Sequence, residues 1–340
     1  AALMPETMTE LQMWDGKELP PEAVYAALVK EVVALREAGD IGKVASRVNY
    51  DMSGARSMFI KSGRKMRKLK KGPYKAAVIK IDKRWGKRET WTTIKLVGRK
   101  ITPAFYLAAV DRKLNADEEI VTQPEDRQIY VTLFIRTLWI SAVVTMICLV
   151  MGYPIAYLMA TQPVRVSNLL IIMVLLPFWT SLLVRTTSWI VLLQTQGVIN
   201  DVMVWLGILT DEARIQMIYN QMGTLIAMSQ ILLPFMVLPL YSVMKTIPIS
   251  QVRAAQSLGA NPFVAFIQIF FPQSIPGIGA GGLLVFVLSV GYYITPALVG
   301  GSSGQLISNM IAFHMKSSLN WGLAAAMGSI LLVAVLILYW

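Results

Sequence analysis

Residues 253–272 read Arg-Ala-Ala-Gln-Ser-Leu-Gly-Ala-Asn-Pro-Phe-Val-Ala-Phe-Ile-Gln-Ile-Phe-Phe-Pro and lie between two long apolar segments. The first half of this stretch is too polar and too interrupted to cross a membrane. Gly259 tolerates a positive φ, and Asn261-Pro262 starts a new helix because proline presets φ at a first helical turn. The pattern predicts a short helix, a bend, and a second short helix closed by Pro272. Small side chains near its start let a partner approach closely, so we interpret the stretch as a docking surface and not as a catalytic one.

The composition predicts a membrane protein with one water-exposed part. Mean hydropathy is +0.54 and 55% of the 340 residues are hydrophobic, which is too apolar for a soluble chain of this length. The formal net charge of +12 is unevenly spread, with +8 in residues 1–128 and +4 in residues 129–340. We therefore predict a charged domain at 1–128 and a transmembrane domain at 129–340.

Residues 1–128 are predicted to be all helical, because no alternating apolar pattern is long enough to indicate a sheet. One helix follows Pro20-Pro21, with Val24, Leu28, Val32 and Leu35 at helical spacing, and ends at Gly39. Further helices are expected near 53–70, 74–85, 89–97 and 103–113.

Apolar runs predict five membrane-spanning helices, since a hydrocarbon core of about 30 Å is crossed by roughly 20 residues. They lie between Arg136 and Arg165 and at about 169–193, 215–244, 276–299 and 322–340. Prolines fall inside these spans at Pro154, Pro177 and Pro234. Neighbouring helices or water can satisfy the carbonyl groups that these prolines free.

The spacing in residues 253–272 resembles the "EAA" loop of permease subunits in binding-protein-dependent ABC importers. That loop reads Glu-Ala-Ala, three residues, Gly, nine residues and Ile-x-Leu-Pro. The matching positions here are Arg253-Ala254-Ala255, Gly259, Ile269 and Phe271-Pro272, so Arg253 replaces the acid and Phe271 replaces leucine. Four more stretches resemble permeases of the spermidine/putrescine (polyamine or opine) type: 151–154, 176–180, 232–236 and 297–301.

The resemblance implies an all-α, type I ABC importer-like transmembrane bundle in the bacterial inner membrane, with residues 246–272 as its cytoplasmic coupling loop. It assigns ATPase coupling to Arg253, Ala254, Ala255, Leu258, Gly259, Ala260 and Pro272. The implied partners are two ATP-binding subunits, a second homologous permease subunit, a periplasmic solute-binding protein and the lipid bilayer. The sequence has no Gly-x-x-x-x-Gly-Lys-Ser/Thr motif. We therefore expect no catalytic residue and no bound cofactor in this chain, with ATP and Mg²⁺ on the partner ATPase.

A cytoplasmic coupling loop sets the expected orientation of the other segments. Residues 161–168 then lie inside, and residues 194–221 and 300–321 lie outside, which places the N-terminal domain in the periplasm. The 194–221 loop carries all three acids of the transmembrane domain, in agreement with the positive-inside tendency. Export of a domain requires a preceding span, so we expect a sixth span before Ala1 and interpret 1–128 as an enlarged first external loop.

The candidate pathway residues are Arg185, Tyr292, Tyr293 and Thr295. In the family, the span that matches 276–299 lines the pathway. Arg185 is the single charge in the second span, roughly 25 Å above the inner face along a straight helix. It either lines the pathway or anchors the helix at the outer interface. Because no Asp or Glu lies in any span, a polyamine would depend on aromatic faces, and an amino-acid-like, opine-like or anionic solute stays open.

Other functional classes have weaker support in the sequence. Gly277–Gly282 matches a dinucleotide-binding pattern, but no strand precedes it and no acid follows, so Gly277 and Gly281 are interpreted as close helix packing. A single histidine, His314, and a single cysteine, Cys148, argue against a metal site, an intramembrane enzyme or an internal disulfide. The basic run at 64–71 permits a cytoplasmic domain that binds nucleic acid or anionic lipid. It lacks aromatic platforms, however, so a solvated helix face near anionic headgroups, without nucleic acid, is favoured.

Overall fold

The computed structural model describes residues 3–69, 72–99, 102–115, 117 and 119–339. The chain forms two compact units, Ala1–Glu125 and Asp126–Trp340. Lys70 and Lys71, the end of the basic run, lie outside the described residues.

The N-terminal unit is mainly helical. In chain order its helices are α1 (Pro5–Met13), α2 (Glu22–Glu37), α3 (Ile41–Asp51), α4 (Ala55–Met66), α5 (Tyr74–Ile81), α6 (Arg88–Val97) and α7 (Ala104–Ala109). The predicted helix after Pro21 is confirmed as α2, since Val24, Leu28 and Val32 are fully buried and Gly39 has a φ of 79° just beyond its end.

The prediction that this unit is all helical is wrong at its C-terminal end. Helix α7 stops at Ala109, and Asp111 takes a φ of 58°, which ends the helix expected over 103–113. Strand β1 (Arg112–Leu114) then pairs antiparallel with β2 (Ile120–Thr122). The β-branched residues of β2 favour a strand. Each strand has only three residues, which is too short for an alternating pattern to be recognised.

Aromatic side chains form the centre of the N-terminal core. Tyr25, Phe59, Trp85 and Trp91 are fully buried. The Trp85 indole N–H donates to Ser62 Oγ over 2.8 Å, and the Trp91 indole N–H donates to the Trp85 carbonyl over 2.8 Å. The Tyr25 hydroxyl donates to the same carbonyl over 3.0 Å, and burial raises the pKa of Tyr25 to about 12. Every polar tip in this cluster is therefore hydrogen-bonded, as buried indoles and phenols require.

The C-terminal unit is a helical bundle. Its helices are α8 (Tyr130–Thr161), α9 (Val164–Leu175), α10 (Leu182–Leu193), α11 (Val198–Trp205), α12 (Gln221–Met244), α13 (Ile249–Ser257), α14 (Pro262–Ala265), α15 (Phe271–Gly291), α16 (Ile294–Val299), α17 (Ile307–Lys316) and α18 (Trp321–Tyr339). A 3₁₀ turn at Leu176–Trp179 follows α9, and a π-helix at Phe266–Phe270 joins α14 to α15.

Within the described residues, four helices are long and apolar enough to cross a membrane, or five segments if one bent pair counts as a span. The four are Tyr130–Thr161, Gln221–Met244, Pro262–Gly291 and Trp321–Tyr339. The bent pair, Val164–Trp179 and Leu182–Trp205, turns through 94°.

The expected straight span at 169–193 is therefore wrong in shape. Pro177 has no amide hydrogen to continue the helix, and Ser181 caps a new one by accepting from the Val184 amide over 3.2 Å. The expected span at 276–299 is also wrong at both ends. Its helix begins at Pro262 and ends at Gly291.

Glycines bring the central helices of the bundle close together. A Cβ at Gly281 of α15 would lie 3.1 Å from the Met236 carbonyl oxygen on α12, and one at Gly277 would lie 3.3 Å from Leu240 Cα. Both distances are shorter than ordinary van der Waals contact with backbone. The interpretation of Gly277 and Gly281 as packing residues is confirmed, and the contact fixes α15 against α12.

Replacing Gly281 by leucine is expected to destabilise the bundle, because the side chain meets the α12 backbone and overpacking typically costs about 1–3 kcal/mol or more. The matched control is Gly279→Leu on the same helix, where a Cβ meets nothing within 4 Å. Thermal unfolding of the detergent-solubilised chain, followed by size-exclusion chromatography, measures the difference. Equal midpoints for the two variants would contradict the packing role.

Candidate functional site

The first half of the coupling loop is helix α13, which ends in a turn capped by glycine. The Gly259 amide donates to the Gln256 carbonyl and the Ala260 amide donates to the Ala255 carbonyl, each over 3.0 Å. Gly259 has a φ of 94°, in the left-handed region. This pair of bonds is a Schellman motif, which explains why a glycine is needed four residues after Ala255. The predicted bend at Gly259 is confirmed.

The second half of the coupling loop is the start of a long helix. Asn261 Oδ1 accepts from the Val264 amide over 2.8 Å and Pro262 occupies the first turn. From there the helix runs through the π-turn to Gly291, so the predicted closure of a short second helix at Pro272 is wrong. The π-turn pairs the Phe271 amide with the Phe266 carbonyl, and Pro272 then falls in the first turn of α15, where a missing N–H is tolerated.

The tip of the coupling loop exposes apolar side chains. Leu258 is 90% exposed and Phe263 is 70% exposed, on either side of the bend. Of the other predicted coupling residues, Arg253, Ala254, Gly259 and Pro272 are exposed, and Ala255 and Ala260 are half-buried. No acidic residue follows Glu212 in the sequence. The tip therefore presents apolar and positively charged side chains and no acidic one.

An aromatic cluster, which the sequence reasoning missed, holds the coupling loop to α8. The Tyr157 ring packs edge-on against Phe266 and Phe270, with centroids 5.5 and 5.0 Å apart. The Tyr153 and Ser274 hydroxyls lie 2.9 Å apart in a hydrogen bond. The sequence did contain a signal for this cluster. Tyr153 and Tyr157 are four residues apart, as are Phe266 and Phe270, and this spacing places both rings of each pair on one helix face.

The far end of the same helix is irregular. Tyr292 is extended, with a ψ of 129°, and α16 begins only after Tyr293. Asn309 Nδ2 donates to the Tyr293 carbonyl over 2.8 Å, which satisfies one group freed by the break. Lys316 Nζ donates to the Tyr293 hydroxyl over 3.3 Å and lies 5.2 Å from the ring centroid. The Tyr293 side chain is therefore already engaged by a cation of its own chain.

Three of the four predicted pathway residues lie together beside this break. Tyr292 lies in the break itself, and Thr295 lies just after it, in the first turn of α16. Thr295 is fully buried, with its Oγ1 3.3 Å from Thr186 Oγ1 on α10. The cluster therefore joins α10, α15 and α16. Because Arg185 follows the 94° bend, its distance from the inner face along a straight helix does not apply.

Arg185 is half-buried, and no carboxylate among the described residues pairs with its charge. Its Cζ lies 5.9 Å from the Phe178 ring centroid, at the edge of cation–π range. Its Nε and Nη1 atoms are buried and have no hydrogen-bond partner. By contrast, Arg214 in the 194–221 loop binds Asp201 and Asp211 over 2.7 and 2.8 Å, and these hydrogen bonds raise its pKa.

His314 lies in α17, away from any acidic cluster. Its Nε2 is 3.0 Å from the Tyr130 hydroxyl and its Nδ1 is 2.8 Å from Ser318 Oγ. In the part of the chain that the structure describes, no three His, Cys, Asp or Glu side chains are grouped to hold a metal ion.

Comparison with known proteins places the C-terminal unit in one family. Residues 127–340 match the family described as "Binding-protein-dependent transport system inner membrane component". The chain is 34% identical over 215 residues to the spermidine/putrescine transport system permease protein PotB of Escherichia coli, covering 62% of this chain and 78% of that protein. It is 36% identical over 211 residues to PotB of Haemophilus influenzae, covering 62% and 73%.

A third relative has a broader description. The chain is 31% identical over 204 residues to the inner membrane ABC transporter permease protein YdcU of Escherichia coli, covering 57% of this chain and 65% of that protein. The family match contains the coupling loop, the bent pair and the break at Tyr292. The chain therefore belongs to the binding-protein-dependent transport system inner membrane component family, as a transmembrane permease subunit.

Proposed function

We propose that this chain forms half of the import pathway for a polyamine-type solute, beside a second homologous permease subunit. The observation that carries the proposal is the 34–36% identity to permeases named for spermidine and putrescine. The similarity extends over about 60% of the chain, within which the family match runs from 127 to 340. A periplasmic binding protein delivers the solute in this proposal.

The coupling loop is proposed to bind an ATP-hydrolysing subunit. Leu258 and Phe263 present an exposed apolar pair on a rigid turn, and burial of such side chains contributes about 1.5–3 kcal/mol each. Arg253 is exposed nearby, and this segment has no acidic residue that could pair with it. A complementary ATPase surface has an apolar groove with a carboxylate at its rim, and it holds ATP and Mg²⁺ itself.

Transport then depends on a difference in binding between two states. Two ATPase subunits that close on ATP shift the permeases between inward- and outward-open arrangements only if they bind the two arrangements with different affinity. The coupling loop transmits this difference, because its second half begins the helix that ends at Gly291, just before Tyr292. This chain is a transport subunit and contributes no hydrolytic residue in the proposal.

Tyr292 is the proposed solute contact with the clearest geometry. It lies at a break in the helix, half-buried beside the bundle core, and the face of an aromatic ring attracts an ammonium group. Thr295 holds the break in position from a buried site. A solute with a carboxylate, of the opine or amino-acid type, is the second candidate, and the observation that favours it is the unmatched guanidinium of Arg185.

The N-terminal unit is proposed to lie in the periplasm and to help receive the binding protein. If the coupling loop faces a cytoplasmic ATPase and the bent pair counts as one span, the order of the spans puts this unit outside. Long domains translocate largely regardless of charge, so its net charge of +8 is no obstacle. The alternative, a cytoplasmic domain that binds nucleic acid or anionic lipid, is not favoured because the rest of the chain is a permease.

Uptake by the complete transporter tests the solute. The chain is reconstituted in proteoliposomes with its second permease, ATPases and binding protein, and ATP-dependent entry of radiolabelled putrescine and spermidine is measured. We expect uptake that unlabelled polyamines compete for and octopine does not, and a several-fold higher KM in Tyr292→Leu through loss of the aromatic face. Uptake of octopine without uptake of polyamine would contradict the polyamine assignment in favour of the second candidate.

Replacing Gly259 by valine tests the coupling loop. A β-branched residue in the left-handed region strains the turn by about 1–2 kcal/mol, and the turn responds by moving Leu258 and Phe263. We expect coupled uptake to fall to background while the protein still inserts in the membrane. The matched control is Gly207→Val, because Gly207 has a φ of 72° and is equally open but lies in the 194–221 loop. Uptake that survives in Gly259→Val, or fails equally in both variants, would refute the assignment.

Cysteine labelling in spheroplasts tests the proposed topology. Cys148 is buried, so single cysteines introduced by Arg67→Cys and Leu258→Cys, both at exposed positions, provide the reporters. We expect a membrane-impermeant maleimide to label residue 67 in intact spheroplasts and residue 258 only after permeabilisation. The reverse pattern would place the N-terminal unit in the cytoplasm.

A further inference from the structure

Arg185 leaves a positive charge unmatched inside an apolar bundle. Its Nε and Nη1 atoms are buried without a hydrogen-bond partner, and the Phe178 ring 5.9 Å away is its only described charge-compensating contact. A guanidinium with buried nitrogens and no anion carries a desolvation penalty. A weak cation–π contact does not offset that penalty. The site is therefore incomplete in this chain.

No acid of residues 127–340 pairs with it among the described residues. Residues 127–340 contain only Asp201, Asp211 and Glu212, all in the 194–221 loop, and the first two bind Arg214. Arg185 forms no ion pair within the described residues. A carboxylate on another molecule would complete the site.

The backbone around Arg185 argues against lipid as that molecule. One helix is broken between Trp179 and Leu182, just before Arg185, and another ends in a break at Tyr292. Irregular backbone at membrane depth persists only where protein covers it or where it lines a water-filled cavity. On α10, the exposed residues include Leu183, Val184, Thr187, Ser188 and Val191, while Thr186 is buried and Arg185 is half-buried.

We propose that Arg185 pairs with a carboxylate of the second permease subunit, where the two subunits close the pathway. A guanidinium forms two parallel hydrogen bonds with a carboxylate, which suits a fixed partner on a folded chain. A polyamine cannot fill this site, because it carries the same sign of charge. The inference rests on the proposed two-permease assembly, and it assigns the acidic wall of the pathway to the other subunit.

Arg185→Met in the complete co-expressed transporter is the first test. We expect recovery of the second permease with the tagged chain to fall by about tenfold or more, as truncation of a buried charge pair does. Arg185→Lys should give an intermediate loss, because lysine keeps the charge but not the paired hydrogen bonds. The matched control is Arg165→Met, which removes an exposed cation and should leave recovery unchanged.

The partner acid is found by neutralising each Asp and Glu in the spans of the second permease to Asn or Gln. One such variant should reproduce the loss seen in Arg185→Met, and combining the two should cause no further loss, since paired residues are not additive. The charge swap, Arg185→Glu with that acid changed to Arg, should restore recovery. This rescue distinguishes a broken pair from a misfolded chain.

Three results would overturn the proposal. The first is full recovery of the second permease with Arg185→Met. The second is unchanged recovery with a selective loss of affinity for a carboxylated solute, which would make the solute the anion. The third is strictly additive losses for every acid tested. Failure of polyamine uptake by the wild-type transporter, with the pair still detected, would overturn the solute assignment alone.

Discussion

One uninterrupted helix, Pro262–Gly291, connects the coupling loop to the break at Tyr292, and the other features of the bundle depend on it. Its 30 residues extend about 45 Å at 1.5 Å per residue, more than the roughly 30 Å of a hydrocarbon core. A helix resists compression along its axis, so a displacement at Phe263 is carried to the far end. The chain turns just before this helix, at Gly259, and just after it, at Tyr292.

Two kinds of contact keep that helix in place although three prolines lie in it. Near the coupling loop, Tyr153 and Tyr157 clamp its first turns to α8 through ring contacts and a hydroxyl pair. At mid-length, Gly281 lets the α12 backbone approach more closely than a side chain would permit. The π-turn at Phe266–Phe270 shifts the hydrogen-bond register ahead of Pro272, which lowers the cost of a proline within the helix. The helix is thus held by α8 near its start, by α12 further along, and by Ser308 of α17, which donates to the Val290 carbonyl, at its end.

The sequence predicted what local chemistry determines. Gly259 followed by Asn261-Pro262 specifies a capped turn and a helix start wherever they occur, so the bend of the coupling loop was predictable. The family resemblance came from the same residues. The glycine contact was predictable as well, because small residues four apart on an apolar helix have few other uses.

The sequence did not predict what tertiary structure determines. An apolar run looks the same whether its helix is straight or bent by 94°, and Pro177 and Ser181 were weak signals against a uniformly apolar background. The helix start at Pro262 was predicted, but its continuation through Pro272 to Gly291 was missed, because the aromatic residues of its first turns lie inside the coupling loop. The surroundings of Arg185 were beyond one sequence altogether, since they depend on three elements that are distant along the chain.

Under the proposed pairing, the two halves of the pathway cannot be identical. Two copies of this chain would bring two unmatched Arg185 side chains to one pathway, with no acid after Glu212 in either copy to compensate them. Like charges that are buried and unpaired disfavour assembly, whereas a carboxylate on a different chain stabilises it. The charge distribution of this single chain thus argues for a heteromeric transporter, in which one subunit transmits movement through an apolar helix and the other supplies the negative charge.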